Sequence, residues 1–118
     1  MRLTHLALGV ADQARSRRFY ETYFGFGAGP ATRYDDGVLI IRNGDGFDLA
    51  LGEPAPNGMA QFFHFGFRCA DAEQVREQRA KLVADGVRLV EDEDTDAYVG
   101  VKCLDPDGYP VEVYWEPA

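Results

Sequence analysis

The chain has 118 residues, of which 20 are acidic and 12 are basic, and its formal net charge is -8. This length is typical of one globular domain whose core needs neither a disulfide nor a structural metal. The acidic balance excludes a protein that binds nucleic acid through its phosphates, because such binding requires clustered lysine and arginine. No apolar run approaches the ~20 residues of a membrane span, and the N-terminus does not resemble a secretion signal, so we expect a cytoplasmic protein that does not bind membranes.

The first half of the chain is predicted to form a strand, a helix and three short strands. An extended apolar run covers residues 3–10, and Asp12 can cap a helix whose aromatic stripe includes Phe19 and Tyr23. Gly25 ends this helix. Glycine-containing turns separate the three short strands, which are predicted at residues 31–34, 38–42 and 47–51.

The second half repeats this order. A strand at residues 61–69 precedes a helix that Asp71 caps and Gly86 ends. The acidic run Glu91 to Asp94, with Asp96, is expected to form a solvated loop. The last three strands are predicted at residues 87–90, 98–104 and 109–115.

The two halves resemble each other closely enough to be copies of one unit. Thr4 to Asp12 is similar to Phe63 to Asp71 at an offset of 59 residues, and Gly44 to Phe47 is similar to Pro106 to Tyr109 at an offset of 62. The predicted fold class is therefore α+β, with one strand-helix-strand-strand-strand module repeated twice. The expected boundaries are residues 1–53 for the first module, 54–60 for a linker and 61–118 for the second module.

Three side chains are candidates for holding a metal. The chain's two histidines, His5 and His64, occupy equivalent positions in the two copies, and each has a small residue, Ala7 or Gly66, two positions later on the same strand face. Glu112 lies among apolar residues, where a carboxylate is costly unless its charge is compensated. A strand histidine usually has an ordinary packing role, so this hypothesis depends on the repeat symmetry. Two imidazoles and one carboxylate are typical ligands of octahedral Fe²⁺ or Mn²⁺, with Zn²⁺, Ni²⁺ or Co²⁺ as alternatives.

The cysteines are interpreted as structural. Cys69 and Cys103 both lie in apolar, strand-like runs. Because free cysteine is often interior, we expect both to be reduced and buried rather than joined in a disulfide.

The segments Thr4–Val10, Phe63–Gly66 and Asp105–Trp115 resemble the glyoxalase, bleomycin-resistance and extradiol dioxygenase superfamily, also called vicinal oxygen chelate proteins. The resemblance covers nearly the whole chain. It implies two tandem βαβββ modules that form a curved, partly open mixed sheet around a metal held by the three candidate ligands. It also implies a homodimer whose sites can be shared between chains, and a small-molecule substrate or drug as the ligand.

The resemblance does not select one reaction. Superfamily enzymes use the ion to chelate adjacent substrate oxygens and to stabilise an oxyanion, enolate or alkoxide. Extradiol dioxygenases and fosfomycin-resistance enzymes are similar at the three ligands but have a tyrosine where this chain has Lys102, and the dioxygenases use a further histidine. Glyoxalase I uses a fourth protein ligand where this chain has Ala50. Dioxygenase-like, lyase or isomerase, and thiol-transfer reactions all stay open.

Several other side chains are candidates for the substrate cavity. Strand alternation and the family alignment place Lys102 toward the metal, as a catalytic proton acceptor or a clamp for a substrate anion, whereas the alternative is a solvated edge lysine. Arg68 shares a face with His64 and could bind a substrate carboxylate or phosphonate, or pair with a surface acid. Three tyrosines could line the pocket or pack in the core, namely Tyr34, Tyr98 and Tyr114.

Two function classes follow from these features. The first is a metal-dependent enzyme that acts on a small oxygenated molecule. The second is a protein that sequesters an antibiotic without chemistry, since bleomycin-resistance proteins resemble this chain in size and acidity and a charge of -8 suits a cationic drug. Such proteins generally lack the metal ligands, so the presence of His5, His64 and Glu112 favours the enzyme.

Overall fold

Asp12 and Asp71 begin the two helices of the computed structural model, which describes all residues from Met1 to Ala118. The carboxylate of Asp12 accepts a hydrogen bond from the Arg15 amide at 3.1 Å, and that of Asp71 accepts one from the Gln74 amide at 2.9 Å. Each cap satisfies an amide that the first helical turn leaves without a partner. The resulting helices are α1 (Gln13–Tyr23) and α2 (Ala72–Ala84). Neither is long and apolar enough to cross a membrane.

The chain divides into unit 1, Met1–Gly58, and unit 2, Met59–Ala118. In unit 1 the sheet order is β1-β4-β3-β2, with β1 parallel to β4 and the other neighbours antiparallel. Its strands are β1 (His5–Gly9), β2 (Thr32–Arg33), β3 (Leu39–Arg42) and β4 (Asp48–Gly52). In unit 2 the order is β5-β8-β7-β6, again with one parallel pair. Its strands are β5 (Phe65–Arg68), β6 (Leu89–Asp94), β7 (Val99–Leu104) and β8 (Pro110–Trp115).

This architecture confirms the predicted α+β fold of two βαβββ modules with open, mixed sheets. The strand registers repeat with the same offsets as the sequence. Ala7 pairs with Ala50 in unit 1, and Gly66 pairs with Glu112 in unit 2. The alanine therefore occupies in unit 1 the position that the glutamate occupies in unit 2.

The acidic residues Glu91 to Asp94 are exposed, as predicted, but the prediction of a loop is wrong, because they form the last four of the six residues of strand β6. Side chains from other elements compensate their charges. Arg79 lies 2.6 Å from Asp92, and Arg76 lies 2.9 Å from Asp94, both reaching from α2. The hydrogen bond from Arg76 is the largest cause that lowers the pKa of the Asp94 carboxyl. Charged side chains along an edge strand also discourage pairing with another chain.

The strand that contains the second histidine motif is shorter than predicted. It begins at Phe65 rather than at residue 61, so His64 immediately precedes it. Phe62 has a φ of 67°, a conformation incompatible with a continuous strand. The backbone therefore turns before it enters β5.

The core of unit 2 lies on one face of its sheet. Alternate residues of β7 and β8 are buried there, including Val101, Val111 and Val113, and α2 packs against the same two strands. Cys103 is buried on this face, and burial raises the pKa of its thiol to about 11. Cys69 is partly exposed, so it is less buried than predicted, and both cysteines are free. The residues that alternate with these core side chains, such as Lys102 and Glu112, project to the opposite face.

Gly9→Ala is expected to destabilise the protein by about 1–3 kcal/mol, because a Cβ there meets backbone rather than a movable side chain. It would lie 2.6 Å from the carbonyl oxygen of Pro54. The measurement is the free energy of unfolding in urea. Gly44→Ala is the matched control, since a Cβ at Gly44 has no neighbour within 4 Å. Equal stabilities for the two variants would contradict the prediction.

Candidate metal and substrate site

A row of four residues crosses the face of the unit 2 sheet that is opposite to α2. Gly66, Glu112, Lys102 and Glu91 are paired in that order from β5 to β6. Directly paired residues project to the same face, and here it is the face opposite to α2. The row places two of the predicted site residues, Glu112 and Lys102, side by side.

His64 and Glu112 lie next to each other at the end of this row. The Nε2 atom of His64 is 3.9 Å from Oε2 of Glu112, and the two side chains are 29% and 20% exposed. The Nδ1 atom of His64 lies 3.1 Å from the carbonyl oxygen of Phe62. Because a carbonyl oxygen only accepts, we assign the proton of the neutral ring to Nδ1, which then donates to Phe62. The lone pair on Nε2 is left facing the carboxylate.

These two atoms fit a divalent cation. Both accept hydrogen bonds and neither can donate to the other, so a positive ion between them would satisfy both. Their separation of 3.9 Å is shorter than two metal-ligand bonds of about 2.1 Å laid end to end. A histidine whose other nitrogen donates to a backbone carbonyl is also the usual arrangement of a metal ligand.

Gly66 provides the space that Glu112 occupies. A Cβ at position 66 would lie 3.1 Å from Cβ of Glu112 and 3.4 Å from its Oε2. The small residue that was predicted to leave room beside the imidazole therefore leaves room for the carboxylate.

Sequence reasoning missed the role of Phe62, whose carbonyl holds His64. Phe62 is the one non-glycine residue with positive φ, its side chain is 87% exposed, and its ring lies 5.4 Å from that of His64 at 82°. Positive φ is uncommon outside glycine and tends to occur at functional sites. No residue pattern in the sequence signals this conformation.

Tyr98 reaches the second oxygen of Glu112. Its hydroxyl donates a hydrogen bond to Oε1, and its ring stacks on Tyr114 with centroids 6.0 Å apart and planes at 16°. Burial, followed by the hydrogen bond to Glu112, raises the pKa of the Tyr98 phenol well above its usual value. The hydroxyl therefore stays protonated and acts as a donor at neutral pH.

Lys102 lies on the same sheet face as Glu112, and its ammonium has a partner. Lys102 is only 9% exposed, and Nζ lies 3.0 Å from Oε2 of Glu91, whose side chain is 65% exposed. The sequence did not indicate this pair, because Glu91 belongs to the acidic run that was predicted to be a loop.

The remaining unit 2 candidate, Arg68, lies on the same sheet face, since it pairs with Tyr114, but its guanidinium already has partners. Arg68 donates from Nη2 to the carbonyl oxygen of Glu116 at 2.8 Å, and Nη1 is 3.7 Å from the Glu116 carboxylate. It therefore has the surface acidic partner that was its alternative role. Tyr34 belongs to unit 1 and is 54% exposed.

In unit 1, His5 begins β1 and pairs with Asp48 of β4. Arg42 donates two hydrogen bonds to Asp48, at 2.6 and 3.1 Å, and these lower the pKa of the carboxyl. Nδ1 of His5 is 3.4 Å from the Thr4 hydroxyl. Asp48 was not predicted, and its charge is already matched by arginine. No three histidine, cysteine, aspartate or glutamate side chains of the chain form a group that could hold a metal.

Several solved structures are similar to this chain. A possible glyoxalase from Bacillus cereus is 29% identical, with a TM-score of 0.79 over 96% of this chain and 97% of that one. The fosfomycin resistance protein FosX from Listeria monocytogenes is 17% identical, with a TM-score of 0.82 over 99% and 94% of the two chains. TnmS3, an antibiotic binding protein from Streptomyces sp. CB03234, is 21% identical, with a TM-score of 0.76 over 99% and 97%.

The similarities to FosX and TnmS3, at 17% and 21% identity, show a shared fold and nothing more. A comparison with curated proteins found no match. The family model of the Glyoxalase/Bleomycin resistance protein/Dioxygenase superfamily matches residues 2–113. Since this match covers nearly the whole chain, the protein belongs to the glyoxalase, bleomycin resistance protein and dioxygenase superfamily.

Proposed function

We propose that the protein is a metal-dependent enzyme that acts on a small oxygenated molecule by chelating adjacent substrate oxygens on a divalent ion. The observation that carries this proposal is the pair of acceptor atoms, His64 Nε2 and Glu112 Oε2, that face each other at 3.9 Å. His5 is the third ligand that the superfamily resemblance implies. This donor set suits Fe²⁺ or Mn²⁺ best, with Zn²⁺, Ni²⁺ or Co²⁺ as other choices.

The bound ion would supply Lewis-acid stabilisation of charge that develops on a substrate oxygen. The protein's own contribution is to position the substrate. Lys102 is proposed to bind an anionic group of the substrate, because its ammonium already binds a carboxylate, that of Glu91, at 3.0 Å. Glu91 can give way to that group at little cost, since its side chain is 65% exposed. The stacked rings of Tyr98 and Tyr114 form an apolar wall on the same face.

Metal analysis of the purified protein tests the proposal. After anaerobic incubation with Fe²⁺ or Mn²⁺ and removal of the excess, we expect about one ion per chain, as three protein ligands and open positions for substrate imply. His64→Ala is expected to retain much less metal. Absence of stoichiometric metal from both proteins would contradict the proposal. Because the resemblance implies a homodimer, the analysis is done on protein whose oligomeric state has been measured.

A second function, the sequestration of a planar cationic antibiotic, is supported by another feature of the same face. The stacked pair Tyr98 and Tyr114 lies near two acidic residues of β6, because Glu93 pairs with Gly100 and Glu91 with Lys102. Aromatic faces and carboxylates together attract organic cations. This function requires no metal, so metal dependence of ligand binding separates the two proposals.

A further inference from the structure

We infer that Tyr98 is a positioning residue for Glu112. The hydroxyl of Tyr98 holds Oε1 of Glu112, so that only Oε2 is presented to a metal beside His64. The inference rests on the proposed function. It assigns to Tyr98 a task other than contact with substrate. The phenol is not itself a ligand in this arrangement.

The two oxygens of Glu112 have different surroundings. Oε1 accepts the hydrogen bond from Tyr98, whereas Oε2 lies 3.9 Å from Nε2 of His64. A carboxylate can rotate about its last bond and turn both oxygens toward a cation, and the hydrogen bond from Tyr98 opposes this rotation by holding Oε1. A hydrogen bond from a neighbouring residue to a ligand orients that ligand and supports its affinity for the metal.

Gly100 makes the contact between Tyr98 and Glu112 possible. A Cβ at position 100 would lie 2.5 Å from Cε1 and 2.6 Å from Cζ of Tyr98. The ring of Tyr98 thus folds over β7, the strand that follows it, and a side chain at position 100 would block this conformation. A glycine within a strand often marks such a close approach.

The backbone before β7 also fixes Tyr98. Its amide donates to the hydroxyl oxygen of Thr95 at 3.0 Å, and its carbonyl accepts from the Thr95 amide at 2.9 Å. With Tyr114 stacked on the ring, Tyr98 is held by its backbone, its ring and its hydroxyl. A side chain restrained in this way loses little conformational entropy when it orders the Glu112 carboxylate.

Ligation through one oxygen has a consequence for the metal. Glu112 then occupies a single coordination position, and with two histidines the protein fills about three of the six positions of an octahedral ion. Ligation through both carboxylate oxygens would close a further position. Tyr98 therefore preserves an open position for a chelating substrate.

The test is a titration of the intact protein with Co²⁺ alone, followed by calorimetry and by the visible absorption spectrum of the ion. Tyr98→Phe is expected to weaken Co²⁺ binding about ten- to a hundredfold and to change the spectrum, because the released carboxylate can bind through both oxygens. Gly100→Ala should reproduce both changes although it removes no polar group. The double variant should be no worse than Tyr98→Phe, since both substitutions break one contact. Tyr34→Phe, at an exposed tyrosine of unit 1, is the matched control.

A measurement without metal accompanies the titration. The hydroxyl proton of Tyr98 is expected to give a slowly exchanging proton NMR signal that is lost both in Tyr98→Phe and in Gly100→Ala. If the parent protein binds no Co²⁺, the proposed function is overturned and the positioning role with it. If the parent binds Co²⁺ but Tyr98→Phe matches it in affinity and spectrum, the positioning role alone is overturned.

Discussion

Glu112→Gln is expected to lower the affinity of the protein for a divalent ion by about a hundredfold or more. The amide keeps the size of the side chain, and its oxygen can still accept the hydrogen bond from Tyr98. It removes the negative charge that faces the lone pair of His64 across 3.9 Å. Loss of a metal ligand should weaken metal binding more than loss of a residue that only hydrogen-bonds to a ligand, which usually lowers the affinity ten- to a hundredfold. Calorimetric titration with Mn²⁺ measures the difference.

Glu116→Gln is the control for this experiment. It removes the same charge four positions further along, where Glu116 pairs with Arg68 and both side chains are about half exposed. An exposed pair contributes little, so the metal affinity should stay within about twofold of the parent value. Equal affinities for Glu112→Gln and Glu116→Gln would show that Glu112 is not a ligand.

The same variant separates the two function classes. If the protein sequesters a cationic antibiotic, bleomycin should bind to metal-free protein, and Glu112→Gln should bind it as well as the parent does. If the protein is a metal-dependent enzyme, removal of the ion or of Glu112 should abolish substrate binding through chelation. The neutral amide lowers the acidity of the protein by only one charge of its net -8, so general electrostatic attraction is almost unchanged.

The repeat was the most informative feature of the sequence for the fold. Apolar alternation, aspartate caps and glycine turns are local signals, and both units contain them in the same order. The offsets predicted that Ala50 matches Glu112, and the strand pairs of Ala7 and Gly66 have the register that this match requires. Module order and register could therefore be predicted without tertiary information.

Partners from distant elements were harder to predict. Four consecutive acids lack the alternation of a strand, yet they pair with β7 and form most of β6, and Arg76 and Arg79 reach two of them from α2. Tyr98 and Glu112 lie 14 residues apart in sequence. Tyr98 immediately precedes β7, and Glu112 lies on the neighbouring strand β8. Gly100 was the available signal for this contact, since a glycine inside a strand pattern often marks the close approach of another group.

Lys102→Glu is expected to lower the free energy of unfolding by about 2–4 kcal/mol. Lys102 is only 9% exposed, with Glu112 paired to it on one side and Glu91 on the other. The substitution would place three carboxylates in one row across β6, β7 and β8. Like charges in direct cross-strand pairs are destabilising, and here solvent screens them poorly. Urea unfolding at neutral pH measures the loss.

The pH dependence of this loss identifies its cause. Crowding of carboxylates raises their pKa in the folded protein, so the penalty is present at neutral pH and decreases as the pH falls through the raised pKa.

Lys81→Glu, at an exposed position in the last turn of α2, makes the same charge change and should lower the free energy of unfolding by less than about 1 kcal/mol. Adding Glu91→Lys to Lys102→Glu should recover part of the loss by restoring opposite charges across β6 and β7. Equal losses for Lys102→Glu and Lys81→Glu would show that water already screens the row, and Lys102 could not then bind a substrate anion in a poorly solvated site.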